Sequence, residues 1–461
     1  MADELDLEGR RRFHVTNVGG AGMSAVATLL AEMGHGVSGH DPADASPFLP
    51  PLRALGVEVQ TGQALALPPV DAVIVSMATA PDHPHLVAAR AAEIPVLHRA
   101  IALAALCGRR RTLAVAGTHG KTTTSALLAT LLTGVGLDPG WVVGASVAGL
   151  GRSAAWGGDG PLVVEADESD GTFLALGAEA AIVTNVEPDH LEHWGGVEQL
   201  RAAFEGFVGA LSGPAVLCLD DPGAAALVAS AAHPVTYGTH PSSDYRIDAI
   251  ATERTGVRFD LHHAGQALTV SVPAAPGTHN ARNAAAALAL AHQLGVDLVA
   301  GASALAQFRG VARRFEVRGE AAGVVVVDSY DHLPTEVTAI LAAARAGRWR
   351  RVVCCFQPHR FSRTAALGAT FADAFVDADI VAVTDIYPAG EAPRPGVTGK
   401  VVVDAVLDAH PWTQVAWLPA LDDVVAYLGA TLRPGDLCIT LGAGDLTSVP
   451  DRVLTLLRSR R

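Results

Sequence analysis

The fold is decided by one stretch, Thr112-Leu-Ala-Val-Ala-Gly-Thr-His-Gly-Lys-Thr-Thr-Thr124. It predicts a buried strand, a glycine turn and a helix over Ser125–Leu132, whose N-terminal N–H groups and positive dipole end suit a phosphate. Lys121 adds charge for terminal phosphates, and the Thr122 hydroxyl suits a magnesium ion. Val115 stands where the general phosphate-loop pattern has a further glycine. We therefore predict a phosphate-binding loop; the alternative is a plain strand-to-helix turn with a surface lysine.

The length and composition of the chain limit the classes of protein to which it can belong. A chain of 461 residues is too long for one core and indicates about three domains. The net charge of −14 disfavours a nucleic-acid partner. No apolar run reaches membrane-spanning length, and the acidic N-terminus lacks an apolar signal core. The five cysteines are scattered and odd in number, which favours reduced thiols in a cytoplasm. We expect a cytoplasmic protein without membrane insertion.

The first third alternates strands and helices, as a parallel sheet with crossover helices requires. Its first turn, Asn17-Val-Gly-Gly-Ala-Gly-Met-Ser24, has Asp41 about twenty residues beyond, the spacing of a dinucleotide fold. Asn17 replaces the first glycine but tolerates left-handed backbone. The turn predicts a diphosphate site; alternatively, it only packs helix against strand. The candidate residues are Gly19, Gly20, Ala21, Gly22, Met23, Ser24 and Asp41. Taken alone, this turn would also fit a nicotinamide-dependent oxidoreductase.

Further strands follow the phosphate loop and end in polar groups, where open parallel sheets place their ligands. Glu165 and His190 could join Thr122 in holding magnesium, with strand-end caps as the alternative. For three more carboxylates, Asp167, Glu168 and Asp170, we expect only water-facing caps. Residues 245–273 alternate like a small antiparallel hairpin set. His279 and Asn283 are spaced to share one helix face, although polar residues at a helix start are usually only caps.

The last third is another alternation of strands and helices. Arg360 and Arg363 lie three residues apart after a predicted strand end, so both can face one carboxylate, the group that arginine binds best. The adjacent Arg313 and Arg314 would by themselves be read as a solvated pair. We place the domain boundaries at residues 1–107, 108–315 and 316–461.

Together, the motifs resemble the Mur ligase family across nearly the whole chain. The matching residues, in family order, are Gly19-Gly-Ala-Gly-Met-Ser24, Gly117-Thr-His-Gly-Lys-Thr-Thr123, Glu165-Ala-Asp-Glu-Ser-Asp170, Asp189-His190, His279-Asn280 with Asn283, Arg313-Arg-Phe315, and Phe356-Gln-Pro-His-Arg360 with Ser362-Arg-Thr364. The resemblance implies an α/β protein of three domains: an N-terminal Rossmann-like domain for a UDP-sugar, a central P-loop ATPase with a parallel sheet plus a small antiparallel sheet, and a C-terminal Rossmann-like domain that closes over both.

The resemblance also implies the activity. ATP with Mg²⁺, or Mn²⁺ as an alternative ion, would drive amide formation between UDP-N-acetylmuramate and L-alanine through an acyl phosphate, in peptidoglycan precursor synthesis. We expect a monomer or homodimer. The alternatives are a relative that joins a preformed peptide to UDP-N-acetylmuramate and a degenerate, non-catalytic nucleotide-binding homologue.

The residue roles implied by the resemblance fall into four groups. The catalytic group is Lys121, His190, Arg314, His332 and Arg360. The ATP group is Gly117, Thr118, His119, Gly120, Lys121, Thr122, Thr123, His279 and Asn283. The amino-acid group is Tyr330, His332, Arg360 and Arg363, and the metal group is Thr122, Glu165 and His190. This chain departs from the family pattern at Ser329, Asp331 and Leu333, which bears on the amino-acid end of the site.

Overall fold

The computed structural model describes residues 5–64 and 66–459. The predicted first domain therefore includes residues 1–4 and 65, which lie outside the described part, as do residues 460 and 461 at the end of the third. Within these described residues the chain divides into two compact units. One comprises the residues up to 248 together with 261–270 and 282–308, and the other comprises 249–260, 271–281 and the residues from 309 onward. The described part of the chain carries three β-sheets, and one falls within each of the three predicted segments. The exact boundaries remain predictions.

The first sheet is fully parallel, with strand order β3-β2-β1-β4-β5. Its strands are β1 Arg12–Thr16, β2 Gly36–Asp41, β3 Glu58–Thr61, β4 Ala72–Val75 and β5 Val96–His98. Its helices are α1 Ala21–Glu32, α2 Leu49–Ala54, α3 Pro84–Ala91 and α4 Arg99–Cys107. The central strands are buried because helices cover a parallel sheet. The polar edge strand β3 is absent from the sequence prediction.

The second sheet has ten strands in the order β15-β14-β13-β12-β11-β10-β6-β9-β7-β8. Its strands are β6 Thr112–Ala116, β7 Gly140–Val147, β8 Arg152–Ala155, β9 Leu162–Glu165, β10 Ala180–Val183, β11 Ala215–Cys218, β12 Pro234–Gly238, β13 Tyr245–Thr252, β14 Val257–His263 and β15 Gln266–Val272. The predicted set at 245–273 forms, and it continues the same sheet. β6 lies between β9 and β10, so the ends of these three strands meet at one edge.

The helices of the middle segment follow the same alternation. They are α5 Lys121–Gly134, α6 Leu191–Trp194, α7 Val197–Gly209, α8 Pro222–Ala226, α9 Thr278–Gln293 and α10 Leu298–Leu305, with 3-10 turns at Thr172–Ala175 and Leu227–Ser230.

The third sheet has the order β16-β17-β21-β18-β19-β20, with only β16 antiparallel to its neighbour. Its strands are β16 Glu316–Ala321, β17 Val324–Ser329, β18 Val352–Phe356, β19 Ile380–Val383, β20 Gln414–Trp417 and β21 Leu437–Leu441. Its helices are α11 Pro334–Ala346, α12 Phe361–Leu367, α13 Lys400–Ala409, α14 Leu421–Thr431 and α15 Val449–Arg458, with 3-10 turns at Gly368–Phe371 and Asp445–Ser448.

Two cores cover the two faces of this third sheet, because side chains alternate along a strand. Val327 and Cys354 face one core, and their neighbours Val326 and Cys355 face the other. All five cysteines are buried free thiols, as the sequence predicts. Among the described residues, no helix is both long and apolar enough to cross a membrane.

Candidate active site

The predicted phosphate loop joins β6 to α5, and its shape depends on two glycines. Gly117 has φ 128°, and a side chain there would collide with Thr184 Oγ1. Gly120 has φ 79° and ends the turn, so the helix begins at once with Lys121. The predicted helix start at Ser125 is therefore wrong by one turn. As a result, the N–H groups of the first helical turn belong to the loop itself.

The two residues that directly follow strand β10 hold this loop in place. Thr118 N donates to the backbone carbonyl oxygen of Asn185 at 3.1 Å. His119 N donates to the side-chain Oδ1 of the same residue at 2.7 Å. The hydroxyl of Thr184 donates to His119 O at 2.6 Å. The loop shape is thus fixed by protein contacts. Sequence reasoning gave no role to Asn185 or Thr184, although both directly follow a predicted strand.

Lys121 folds back into its own loop. Its Nζ donates to Gly117 O at 2.6 Å, to Thr118 O at 3.1 Å and to Glu168 Oε2 at 2.6 Å. Burial works against the charge of this ammonium, but the Glu168 carboxylate, with Asp167 and Glu165 behind it, outweighs burial and raises the Lys121 pKa. The expectation that Glu168 faces water is wrong: the residue is 2% exposed and pairs with the loop lysine.

Two of the three predicted metal ligands lie together. Thr122 Oγ1 donates to Glu165 Oε1 at 2.7 Å, and Gly144 N donates to Glu165 Oε2 at 2.5 Å. A hydroxyl and a carboxylate that converge beside a phosphate loop fit the oxygen preference of magnesium. His190 adopts left-handed backbone with φ 53°, and its Nε2 lies 3.4 Å from Asp189 Oδ2. Its role as a metal ligand remains a prediction.

The two residues predicted to bind adenine lie on the first turns of α9. A Cβ built on Gly120 would lie 3.0 Å from Asn283 Oδ1, so the Asn283 amide contacts the phosphate loop. Asn283 is buried, and His279 is partly exposed one turn earlier. The structure thus brings Asn283 to the loop, and the adenine role of both residues remains a prediction.

The second glycine turn, between β1 and α1, is organised by a carboxylate. Asn17 takes the left-handed conformation with φ 50°, which explains how it replaces glycine. Gly19 N donates to Asp41 Oδ2 at 2.8 Å, and a Cβ on Gly19 would lie 2.7 Å from the same oxygen. Ser24 is buried and donates to Ala21 O at 2.9 Å. Asp41, predicted to bind the sugar nucleotide, thus supports the turn from within.

A pocket of about 210 Å³ opens beside this turn. Its lining consists of Gly20, Ala21, Gly22, Met23, Ser76, Met77, Ala78, His98, Arg99 and Asp170. Arg99 Nη2 donates to Asp170 Oδ2 at 2.7 Å, and a Cβ on Gly22 would collide with the Arg99 guanidinium. Asp170 was expected to be a water-facing cap; instead it forms an ion pair in the pocket wall. Sequence reasoning missed Arg99, which supplies the positive charge here.

In the third sheet, the predicted amino-acid residues gather at the end of β17. The guanidinium groups of Arg313 and Arg314 lie 4.9 and 5.1 Å from the Tyr330 ring centroid. His332 Nδ1 lies 3.2 Å from Tyr330 O. Glu336 Oε2 accepts from His332 N at 2.9 Å and fixes the start of α11. Arg314, Tyr330 and His332 are therefore one cluster, and the reading of the arginines as a solvated pair is wrong.

The arginines after β18 extend this cluster. The His332 and His359 rings lie 5.5 Å apart, and Arg363 Nη1 lies 3.4 Å from His359 Nδ1. Burial, with the nearby His332 and the two arginines, lowers the pKa of His359 to about 4. Arg360 has φ 67°, and its buried Nε has no hydrogen-bond partner within residues 5–64 and 66–459. A buried donor of this kind is suited to a carboxylate ligand.

The residues that depart from the family pattern interact with one another. Ser329 donates a hydrogen bond to Asp331 Oδ2, and Phe315 N donates to Ser329 Oγ at 3.0 Å. Burial, reinforced by Glu336, raises the pKa of Asp331 to about 6. Leu333 is buried at the start of α11. Ser329 and Asp331 are thus hydrogen-bonded to each other just after β17.

Comparison with known proteins identifies the family. Three family models match in chain order: "Mur ligase family, catalytic domain" over residues 12–111, "Mur ligase middle domain" over 162–291, and "Mur ligase, glutamate ligase domain" over 313–444. The chain therefore belongs to the Mur ligase family, and the predicted three-domain α/β fold is confirmed.

Individual relatives that match nearly the whole chain are named for one activity. The UDP-N-acetylmuramate–L-alanine ligase of Kineococcus radiotolerans is 47% identical, over 97% of both chains, and that of an Anaeromyxobacter species is 44% identical, over 97% of this chain and 98% of the relative. Among solved structures, the UDP-N-acetylmuramate–alanine ligase of Thermotoga maritima has a TM-score of 0.84 at 28% identity, covering 98% of this chain and all of that one.

Proposed function

We propose that this protein is an ATP-dependent ligase that joins L-alanine to the lactyl carboxylate of UDP-N-acetylmuramate, in peptidoglycan precursor synthesis. The observation that carries the proposal is the phosphate loop, in which Lys121 and the Thr122–Glu165 pair lie side by side. Full-length relatives named for this reaction, at 44–47% identity, support the choice of substrates.

The chemistry requires activation of a poor electrophile. A carboxylate oxygen attacks the γ-phosphorus of ATP, the bond to the β-phosphate oxygen breaks, and ADP leaves an acyl phosphate behind. The alanine amine then attacks the acyl carbon, the C–N bond forms, and phosphate departs while the nitrogen loses a proton. The protein mainly has to position these groups and neutralise charge, and it must keep water from the acyl phosphate.

Each side chain has a definite part in this scheme. Lys121 leaves its acceptors Gly117 O, Thr118 O and Glu168 Oε2 and binds the phosphoryl group that is being transferred. Asn283, which lies next to the phosphate loop, contacts the nucleotide. Thr122 and Glu165, with His190, would hold Mg²⁺. When bound, this ion neutralises charge on the phosphate oxygens.

The two substrates are assigned to different elements. The pocket beside Gly20 and Gly22 takes the diphosphate of the UDP-sugar, because it combines helix N–H groups with the guanidinium of Arg99. Arg360 and Arg363, with Tyr330 and His332, receive the carboxylate of alanine. The unpartnered Nε of Arg360 supports this assignment.

One assay tests the proposal: ADP formation measured with alanine, glycine, serine or a preformed tripeptide, each with and without UDP-N-acetylmuramate. We expect turnover only when UDP-N-acetylmuramate and an amino acid are both present, with alanine preferred. A preference for the tripeptide would favour the peptide-ligase alternative. ADP release that is independent of both acceptors would contradict the proposal, and no turnover with any of them would indicate a non-catalytic homologue.

The cellular setting is part of the same proposal. Five buried free thiols suit the reducing cytoplasm, where we place the reaction. Molar mass measured in solution will decide between a monomer and a homodimer.

A further inference from the structure

Four histidines cluster in the first sheet, and none of them belongs to the predicted site groups. His14 lies on β1, His40 on β2, and His83 and His85 at the start of α3. Three are essentially buried, with 0, 3 and 0% exposure for His14, His40 and His85, whereas His83 is partly exposed. Buried histidines are expected to have hydrogen-bond partners or a ligand. The ligase reaction gives this cluster no role.

The spacing of the ring nitrogens suits a metal ion. One ring nitrogen from each of His40, His83 and His85 can be chosen so that all three lie within 4.8 Å of one another. His40 Nδ1 and His83 Nε2 are 3.3 Å apart, which is long for a hydrogen bond. Two nitrogens bound to a tetrahedral ion at about 2.0–2.1 Å are themselves about 3.3 Å apart.

The surrounding hydrogen bonds orient the rings. His40 Nε2 donates to Gly62 O at 2.9 Å, so the Nδ1 lone pair faces His83. His85 Nδ1 lies 2.9 Å from His14 Nε2, and His14 Nδ1 lies 2.9 Å from Ser38 Oγ, so a buried chain of hydrogen bonds orients the His85 ring. Partners of this kind on the second ring nitrogen are characteristic of histidine metal ligands.

His83 must exchange one contact in order to bind a metal. Its Nδ1 accepts from His85 N at 3.2 Å and thereby caps α3. Ligation through Nε2 requires the tautomer with hydrogen on Nδ1, so this cap bond is given up for the metal bond. The cost is the loss of one N-cap hydrogen bond, which is small beside a metal–nitrogen bond.

We propose that His40, His83 and His85 form a site for a divalent transition-metal ion, with Zn²⁺ as the first candidate and water as the fourth ligand on the exposed side of His83. Three imidazoles without a carboxylate favour zinc, nickel, cobalt or copper over magnesium. The ion would join β2 to α3. Because β2 ends in Asp41, the partner of Gly19 N, the site would also stabilise the glycine turn of the sugar-nucleotide pocket.

Metal uptake by the full-length protein tests this inference without using ligase activity. Chelator-treated protein is dialysed against Zn²⁺ in excess Mg²⁺, which occupies the oxygen ligands Thr122 and Glu165, and bound zinc is counted. We expect one zinc per chain. With Co²⁺ as the probe, the intense visible absorption of a tetrahedral complex is expected. Absence of zinc uptake, or a weak six-coordinate cobalt spectrum, would overturn the inference.

A matched pair of variants locates the ion. His83→Asn keeps an N-capping side chain but removes the imidazole, and it should weaken zinc binding by about 100-fold or more, at or beyond the range for loss of an outer-shell partner. His98→Asn is the control, because His98 caps α4 in the same way, accepting from Ala100 N at 3.2 Å. Equal zinc affinity in wild type and His83→Asn would show that these histidines form only a packing network.

Discussion

The molecule contains two strand–glycine-turn–helix units that look alike in sequence and differ in how charge is supplied. In the loop between β6 and α5, a lysine of the turn itself carries the positive charge, and a hydroxyl of the first helical turn meets the Glu165 carboxylate. In the turn between β1 and α1, the Asp41 carboxylate accepts a hydrogen bond from Gly19 N. The positive charge beside this turn comes from Arg99, the first residue of α4.

If both turns bind phosphate as proposed, this difference predicts that they do so in two different ways. A lysine built into the loop can follow a phosphoryl group that is being transferred, as catalysis requires. An arginine fixed by an ion pair can only hold a diphosphate that does not react. The first loop should therefore govern turnover, and the second should govern substrate affinity.

The largest effect is expected for Lys121→Ala. Removing one positioned donor at a developing charge typically lowers kcat by about 10²–10³, whereas affinity for UDP-N-acetylmuramate should be nearly unchanged. Steady-state kinetics and calorimetry measure the two quantities. Because the change leaves Glu168 buried without its partner, Lys121→Ala with Glu168→Gln should be measured beside it. Lys400→Ala, which breaks only an exposed pair with Asp404, is the control. A similar loss of sugar-nucleotide affinity would show that the two loops are not separate in function.

Arg99→Ala should act in the opposite way. Loss of a charge-assisted hydrogen bond to a diphosphate, about 1.5–3 kcal/mol, corresponds to roughly 10–100-fold weaker binding of UDP-N-acetylmuramate, with the KM for ATP little changed. Arg90→Ala, which removes an exposed guanidinium bonded to Pro81 O, serves as the comparison. If the ATP parameters fall instead, Arg99 belongs to the nucleotide loop.

Glu165→Gln and His190→Ala test the metal at the first loop. Each change removes a ligand or its charge, so the magnesium concentration for half-maximal rate should rise by roughly tenfold, the effect of about 1.4 kcal/mol. Magnesium titrations of ADP formation measure this. An unchanged magnesium titration for either variant would show that the residue is a strand-end cap and not a metal ligand.

The smallest effect is expected for the Arg99–Asp170 pair. Burial alone would raise the Asp170 pKa, but hydrogen bonds from Thr172 and the charge of Arg99 outweigh it and lower the pKa below 3.8. The charged form thus stabilises the fold above pH 3.8, and this contribution is lost as pH falls through the lower folded pKa. Asp170→Asn should cost about 1 kcal/mol at pH 7, and the difference from wild type should shrink below pH 3.8 in thermal unfolding. A difference independent of pH would mean that the pair contributes by packing alone.

The sequence predicted much of the fold because the central strands are continuous apolar runs. Of the strands it missed, β3 Glu58–Thr61, β8 Arg152–Ala155 and β16 Glu316–Ala321 are sheet edges, whereas β11 Ala215–Cys218 and β12 Pro234–Gly238 lie inside the second sheet. Edge strands are half solvated and lack the apolar run that marks a buried strand. Asn17 was read correctly because its left-handed preference is a local property of the residue.

At the site, the sequence located the loops but misjudged the residues that support them. Glu168 and Asp170 read as solvated carboxylates, since their partners Lys121 and Arg99 are 47 and 71 residues away. Pairing over such distances depends on strand order, which a local pattern does not encode. Asn185 and Thr184 were passed over for the same reason.

The length of the segment from Glu165 to Asp170 affects two sites at once. Within six consecutive residues, Glu165 meets Thr122, Glu168 meets Lys121 and Asp170 meets Arg99. Both proposed phosphate sites therefore contact the same short segment of the chain. Surface loops elsewhere can gain or lose residues, but one residue inserted here would misalign both sites at once. The side chains of each site can change independently in evolution. The number of residues between Glu165 and Asp170, however, is shared by both sites.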